Sequence, residues 1–589
     1  MAEAPFRKLL VANRGEIAVR VMRSARELGI KTVAVYSEVD RNARHVSLAD
    51  EAYLLGPAPP AQSYLNRDKI LEVAKRAGAD AVHPGYGFFA ENASFAQAVI
   101  DAGMTWIGPT PAAIDAMGDK VRARLAMIKA GVPVVPGGTE AILDGAGARK
   151  AAAQFGLPLA LKASGGGGGK GLKVARTLAE VESAFTTAQR EATAYFNNGT
   201  IYAERYLDNP KHIELQILAD KYGNVVHVGE RDCSLQRRHQ KVWEEAPALI
   251  SDRVREGLRA AGIAAAKAIA YDSVGTIECL VAGDEFFFLE MNTRIQVEHT
   301  VSEMISGIDL VREQILVAAG RPLTFAQSEI EFRGHSIEVR INAEDPAHNF
   351  RPAPGTITAY REPAGFGVRV DSAASTGFAI TPDYDSMIAK LIVWGRTRDE
   401  SLERLRRAIN EYVVEGVPTT LPLLRELADF APVLDASYGT ATLEPFAATR
   451  TTENGHVTTD EPSAAPAPSE SFRVEVNDKL FRVRFIDLPI GINSARPAGA
   501  AKALVKGSTR KAQTPQGNDV VSPMHGVVVE VSVASGDAVV EGQVVAVIEA
   551  MKMMNEIRAH KAGTIANVRV KAGDTVEARA PIVTLAPLS

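Results

Sequence analysis

A chain of 589 residues, 46% hydrophobic and 23% charged, is too long for a single core and reads as two to four globular domains. Its net charge of −5 gives no argument for a nucleic-acid or membrane partner, and no run of 18 apolar residues is present to span a bilayer. Two cysteines, Cys233 and Cys279, exclude a disulfide framework and suit a reducing compartment, and no Cys/His spacing implies zinc. With no apolar signal core and no Arg/Ser-rich transit segment at its start, the chain is expected in the cytoplasm.

The first elements are a strand over Lys8–Ala12, a loop Asn13–Glu16, a helix over Ile17–Leu28 and a strand over Thr32–Tyr36. That is a βαβ start, and strands and helices keep alternating after it, so an α/β body is expected. The turn after the first strand carries no GxGxxG to make a dinucleotide site. Residues 162–171 read KASGGGGGKG after the apolar Pro158–Leu161. Five glycines without Cβ atoms leave backbone N–H groups free to wrap an anion, and Lys162 and Lys170 flank them. It is not a Walker A loop, because Gly171 stands where Ser or Thr is required. A linker would look the same.

A dense polar run, Glu230–Lys241, follows the apolar Val225–Val228. It reads either as a solvated loop or, through its basic end, as an anion site. Further on, the apolar Phe286–Leu289 leads into EMNTRIQVEH, residues 290–299. Strand alternation places Glu290, Asn292, Arg294, Gln296 and Glu298 on one face. A solvated edge strand is the bland reading. Against it, Glu290 and Asn292 are a hard-oxygen pair suited to Mg²⁺, with Glu278 as a third ligand.

These stretches, together with VANRGEI at 11–17, HPGYGF at 83–88, MGDK at 117–120 and RINAEDP at 340–346, resemble the biotin carboxylase family, an ATP-grasp fold. The resemblance implies roles at matching positions. Lys120, Lys162, Gly168, Gly169, Glu204, Leu207, His212, Gln236 and His239 would hold ATP, with the backbone of Glu204, Arg205, Tyr206 and Leu207 at the adenine. Glu278, Glu290 and Asn292 would hold Mg²⁺ (or Mn²⁺). Lys241, Arg294, Gln296 and Val297 would bind bicarbonate, Glu298 would act as its general base, and Arg340 would face the biotin ureido group. Lys170 departs from the usual Arg and keeps the charge without the planar fork; Arg205 stands where Lys is common.

Past residue 448 the composition changes. Residues 451–471 are rich in Thr, Pro, Ala and Ser, residues 493–518 add Lys and Arg, and both are expected to be mobile linkers. The second, about 26 residues, spans roughly 25–30 Å as a flexible coil. Two strands around Asn477-Asp478 make a hairpin too short to stand alone.

The last segment carries an internal repeat: GVVVEVSVASGD at 526–537 and GTIANVRVKAGD at 563–574, offset by 37 residues. Each copy alternates apolar and polar residues and ends in Gly-Asp, so two half-buried β units close into one small sandwich. Ala550-Met551-Lys552-Met553 falls in the connection between them, where a hairpin holds Lys552 at its tip. This resembles the biotinyl domain of biotin-dependent carboxylases, in which a ligase joins biotin to the Lys between two Met. The related lipoyl domains usually carry Asp-Lys-Ala.

The expected organisation is therefore an N-terminal biotin carboxylase domain over 1–118, an ATP-grasp domain with glycine-rich lid over 119–318, and a biotin carboxylase C-terminal domain over 319–448. A linker at 449–471, a short β docking segment at 472–492, a flexible linker at 493–518 and a biotinyl domain over 519–589 follow. Nothing in 449–518 is large enough for a carboxyltransferase, so a separate β subunit is implied. The arrangement resembles the α subunit of actinobacterial acetyl-/propionyl-CoA carboxylases. Methylcrotonyl-CoA, geranyl-CoA or pyruvate are the alternative acceptors. Biotin protein ligase and a second copy of the chain are the other expected partners. An inactive biotin-bearing scaffold, and an ATP-grasp ligase with a lipoyl-like carrier, are the competing readings from other classes.

Overall fold

The expected βαβ unit is present in the computed structural model as β1 (Lys8–Val11), α1 (Gly15–Glu27) and β2 (Lys31–Ser37), with β1 and β2 parallel. The described residues are 4–453 except 139, 164–171, 197 and 238–239; 471–476; 479–484; and 518–586 except 525, 551–552 and 578. With β3 (Glu51–Gly56), β4 (Ala81–His83) and β5 (Thr105–Trp106) they form a parallel sheet in the order β3-β2-β1-β4-β5. Strand alternation sends Leu9 and Val11 against Ile17 and Val21 of α1, and Leu10 and Ala12 to the opposite face with Ile70 and Phe95. Both faces are covered, as a parallel sheet requires. Gly15, at a φ of +69°, turns the chain from β1 into α1 in a backbone conformation that a side chain would strain.

Next come β6 (Leu159–Ala163), β7 (Leu172–Ala175) and β8 (Ile201–Arg205), an antiparallel sheet in the order β7-β6-β8. The β6–β7 pairing runs up to Lys162 opposite Leu172. The glycine-rich stretch that these two strands flank, with Gly168 and Gly169, lies outside the described residues.

An eight-stranded, wholly antiparallel sheet follows. Its strands are β9 (Lys211–Ala219), β10 (Val225–Arg237), β11 (Gln240–Ala246), β12 (Ser273–Ala282), β13 (Glu285–Asn292), β14 (His335–Asn342), β15 (Val368–Ser372) and β16 (Met387–Gly395). The order is β13-β12-β9-β10-β11-β14-β16-β15. Trp243 of β11 lies opposite Val339 of β14, so one sheet runs from segment 119–318 into segment 319–448. On one face Ile213, Leu215 and Ile277 pack with Leu258 and Ala265 of α2 (Asp252–Ala268). The approach is close: a Cβ on Gly262 would lie 2.2 Å from the Leu215 side chain. The alternate residues of β9 point to the other face, where α3 (His299–Ser306) sits on β10, β11 and β14.

Residues 471–476 and 479–484 pair as the expected antiparallel hairpin. The terminal segment folds into two four-stranded sheets that share one core, including Val528, Ile548, Ile565 and Leu585. The sequence repeat is a structural one. Gly526–Val531 pairs with Val544–Ala550 and Thr575–Val576, and its counterpart Gly563–Val568 pairs with Pro581–Ala586 and Ala538–Val539. Val544–Ala550 and Met553–Arg558 form an antiparallel hairpin up to the pair Ala550–Met553. Lys552, in the connection, lies outside the described residues, as do residues 454–470 and 485–517, which hold most of the expected linkers 449–471 and 493–518. Among the described residues no helix is long and apolar enough to cross a membrane.

Candidate active site

Register builds the centre of the site. Arg231 of β10 lies opposite Glu214 of β9, Glu214 opposite Glu278 of β12, and Glu278 opposite Glu290 of β13. Carboxylates directly opposite one another repel. Cations offset that repulsion. Arg231, wholly buried, donates to Glu214 Oε2 at 3.0 Å, Gln216 Oε1 at 2.6 Å and Gln296 Oε1 at 2.7 Å. Lys241 of β11 donates to Glu214, to Glu278 Oε1 at 3.2 Å and to Glu298 Oε1 at 2.7 Å. Burial disfavours an ammonium, but these three carboxylates outweigh it and hold Lys241 well above the usual lysine range.

Glu298, the residue before α3, is buried and shared by two cations: Lys241 at Oε1, and Arg340 of β14, whose Nη2 is 2.9 Å from Oε2. Burial would raise its carboxyl; Lys241 and Arg340 bring it below the ordinary value despite the opposing charge of Glu214. Glu298 is thus an ionised base at neutral pH. Arg294 Nε donates to Glu91 Oε2 at 3.0 Å and Nη2 to Asn292 Oδ1 at 2.8 Å. The Val297 carbonyl accepts from Lys390 Nζ at 2.7 Å, a lysine with no exposed surface on the otherwise apolar β16.

Of these groups, Lys241, Glu278, Glu290, Asn292, Arg294, Gln296, Val297, Glu298 and Arg340 line one cleft of about 860 Å³. Lys162 and Glu204 line it too and pair with each other, and Arg205, Tyr206 and Leu207 continue the wall. So do His212 and Gln236. His212 Nε2 is 3.0 Å from Glu278 Oε2; burial opposes its protonation, but Glu278 and Glu214 push its pKa up to about 9. Glu278, Glu290 and Asn292 are hard-oxygen side chains on adjacent strands at one cleft wall, and Asn292 Nδ2 donates to Glu278 Oε1 at 2.7 Å. That donor chemistry fits Mg²⁺ or Mn²⁺.

Models of protein families cover most of the chain. Residues 5–114 match the biotin carboxylase N-terminal domain and 119–326 the ATP-binding domain of the carbamoyl-phosphate synthase L chain. Residues 338–445 match the biotin carboxylase C-terminal domain, and 518–585 the model described as biotin-requiring enzyme. The biotin-dependent acyl-coenzyme A carboxylase alpha3 subunit of Mycobacterium leprae is 45% identical over 98% of both chains. The chain belongs to the biotin-dependent carboxylases. It is of the type that joins a biotin carboxylase body to a biotinyl domain. The biotin carboxylase of Halalkalibacterium halodurans is 52% identical over 74% of this chain and 96% of its own. The crystal structure of the Campylobacter jejuni biotin carboxylase in a β-γ-ATP complex superposes with a TM-score of 0.71 at 44% identity, covering 74% and 98% of the two chains.

Sixteen of the sequence-predicted residues therefore share one cleft, from Lys162 at one wall to Arg340 at another. Lys120 begins a helix, Lys120–Lys129, and its side chain, like Gly168, Gly169, His239 and Lys552, lies outside what is described. Two expectations need correction. Arg294, Gln296 and Glu298 are not strand residues: β13 ends at Asn292, and a turn carries the chain into α3 at His299. The alternation survives because Ile295 is buried against the core under α1 while its neighbours face the cleft. The polar run from Glu230 is no solvated loop either; Glu230–Gln236 is buried strand in β10.

Sequence reading passed over Glu214, Glu91, Glu244 and Lys390. Glu214 had a signal, since His212, Glu214 and Gln216 interrupt β9 at every second position between Ile213, Leu215 and Ile217. Glu91 had none, because its partner Arg294 is 203 residues away.

Proposed function

We propose that this chain carboxylates biotin carried on its own Lys552, using ATP and bicarbonate, as the α subunit of an acetyl-/propionyl-CoA carboxylase. The observation that carries the chemical step is Glu298, a buried ionised base held by Lys241 and Arg340 in a cleft that also contains the Glu278–Glu290–Asn292 cluster. Lys241, Arg294, Gln296 and the Val297 backbone hold bicarbonate. Glu298 takes its proton, so that a bicarbonate oxygen attacks the γ-phosphate, ADP leaves, and the carboxyphosphate formed breaks down to CO₂ and phosphate. Lys120, Lys162, Gly168, Gly169, His212, Gln236 and His239 hold the nucleotide, with the Glu204–Leu207 backbone at the adenine. Glu278, Glu290 and Asn292 would hold Mg²⁺ or Mn²⁺, which would supply neutralisation of phosphate charge. Biotin would supply a ureido nitrogen that takes up the CO₂, its N–H proton passing to the released phosphate. Arg340 faces the ureido oxygen and stabilises the charge that develops there.

The acyl-CoA acceptor rests on the full-length match to the Mycobacterium leprae protein. The body alone does not discriminate: components of a pyruvate carboxylase from Methanothermobacter thermautotrophicus and a 2-oxoglutarate carboxylase from Hydrogenobacter thermophilus match it at 52% and 49% identity. A separate carboxyltransferase β subunit completes the reaction, biotin protein ligase loads Lys552, and two bodies pair. A solved relative, a biotin carboxylase domain from Hydrogenobacter thermophilus, is described as a dimer. The test is ATP hydrolysis that requires bicarbonate and free biotin, abolished by Glu298→Gln. Co-purification of the β subunit, followed by a screen of acyl-CoAs and pyruvate, then assigns the acceptor. Turnover independent of Glu298 overturns the chemical reading, and exclusive carboxylation of pyruvate overturns the acceptor.

A further inference from the structure

Beneath Arg340 lie two carboxyl groups that this chemistry does not use. Glu244 of β11 and Glu338 of β14 are directly opposite each other, and neither has exposed surface. Direct opposition on an antiparallel pair brings Cβ atoms to about 5 Å. Arg340 Nε donates to Glu244 Oε1 at 2.7 Å, and the Thr300 hydroxyl donates to Glu338 Oε2. Glu244 Oε2 and Glu338 Oε1 remain, both buried and without a hydrogen-bond partner among the described residues. Two buried acceptors with no donor are costly, and neighbouring carboxylates at such a site do not both ionise. One proton answers both problems.

We propose that Glu338 carries a proton shared with Glu244, and that Glu244, kept charged and aligned in this way, is the residue that positions Arg340. This deepens the proposed function and rests on Arg340 meeting biotin. Other groups face the pair: Lys390 from β16, Cys233 from β10, Lys241 from β11 itself, Tyr86, and Glu298. Burial is the main cause that pushes Glu338 up to about 8 and Glu244 up to about 7; Arg340 pulls back on both, and Lys390 on Glu338. Arg340 binds Glu244 directly, whereas Glu338 has only the neutral Thr300 hydroxyl, so the charge stays on Glu244 and the proton on Glu338.

The role follows from the two-sided hold on Arg340. One side is Glu298, whose charge is neutralised each time it accepts the bicarbonate proton. The other is Glu244, which does not exchange protons with substrate. Arg340 stays in place through the cycle because its second anchor is insulated beneath it.

The experiment uses the full-length chain. Infrared difference spectra of wild type and Glu338→Gln at neutral pH report the C=O stretch of a protonated carboxylic acid, expected in wild type and missing in the variant. Kinetics with free biotin as the probe separate positioning from structure. Glu244→Gln is expected to lower kcat/KM for biotin by about ten- to a hundred-fold, mostly through a raised KM. Glu338→Leu, with no donor, shows the same loss. Glu338→Gln recovers most of it, because an amide still donates to Glu244. Thermal unfolding identifies any variant that has not folded, and the wild-type infrared band needs only one folded variant. No acid band assignable to Glu338, equal defects in Glu338→Leu and Glu338→Gln, or an unchanged biotin KM in Glu244→Gln overturns the proposal. Wild type that hydrolyses ATP without needing bicarbonate and biotin overturns the underlying reading instead, and leaves the infrared result standing.

Discussion

His83 has no exposed surface, and its Nδ1 accepts a hydrogen bond from the Gly85 amide at 2.9 Å. The ring must be neutral to accept it. Burial, aided by the charge of Arg20, lowers its pKa from 6.5 to about 3. Above pH 6.5 neither folded nor unfolded chain protonates this group. Below it the unfolded chain takes a proton that the native ring refuses, so stability falls as pH falls through the window from 6.5 to about 3. Between pH 7.5 and 5 the His83 share is about 2 kcal/mol. His83→Asn keeps an acceptor for Gly85 and has nothing to titrate. Urea titrations at the two pH values should therefore show a smaller acid loss in the variant by about that amount, and equal losses would remove His83 as the cause. The motif around His83 was legible in the sequence, but its role was not, because burial of a histidine depends on partners far along the chain. The same applies to Glu244 and Lys390, whose significance lies in Glu338 and Val297. Glu298, by contrast, stood out locally, because a charged residue recurring with period two beside apolar ones is visible without a fold.

At the scale of elements, periodicity was the readable quantity and chain direction was not. The βαβ opening and the repeat in the terminal segment followed from alternation and turn residues. The turn after Asn292 did not, since side chains alternating on a strand and on an irregular turn give one pattern. The repeat makes a sharp prediction. A Cβ on Gly526 would lie 2.5 Å from the Glu549 carbonyl oxygen, and one on Gly563 would lie 2.7 Å from that of Ala586. Glu549 and Ala586 are themselves related by the offset of 37 residues. Both glycines are where two sheet strands approach too closely for any side chain. Gly526→Ala and Gly563→Ala are each expected to destabilise the terminal domain by about 1–3 kcal/mol. Gly526→Ala should be the worse, because its Cβ would also meet the Ile548 side chain at 2.6 Å. Glu549 precedes the hairpin connection that holds Lys552, so Gly526→Ala should also reduce the biotinylated fraction. Intact mass and calorimetry read both effects, and a wild-type melting profile in either variant contradicts this account of the repeat.

The whole molecule divides by cooperativity. The eight-stranded sheet joins β11 to β14, and Glu245 of β11 is bound by Arg398 Nε at 2.7 Å, by His335 Nε2 at 2.6 Å and by the Tyr438 hydroxyl. Loss of the half that carries Arg398, His335 and Tyr438 leaves Glu245, which has no exposed surface, without these partners. Calorimetry of the full chain should accordingly show one transition for the body and a separate one for the terminal domain, whose core includes none of the body's residues. A body that melts in two steps, one for each side of the β11–β14 pairing, would contradict this.

Separate cooperative units also define what Lys552 does. If the terminal domain only carries biotin to a cleft that works independently, Lys552→Arg should leave bicarbonate-dependent ATP turnover with free biotin intact. Carboxylation of the proposed acyl-CoA acceptor, in the presence of the proposed β subunit, should fall to background, since free biotin has no tether to hold it near either site. The wild-type chain from a ligase-competent host should be heavier than its sequence by about 226 Da, the increment of one amide-linked biotin, and the variant should lack it. An increment of about 188 Da would mark lipoyl instead. Residual acyl-CoA carboxylation in Lys552→Arg would mean that the cleft is loaded by another carrier, and the tether would then have to be sought outside this chain.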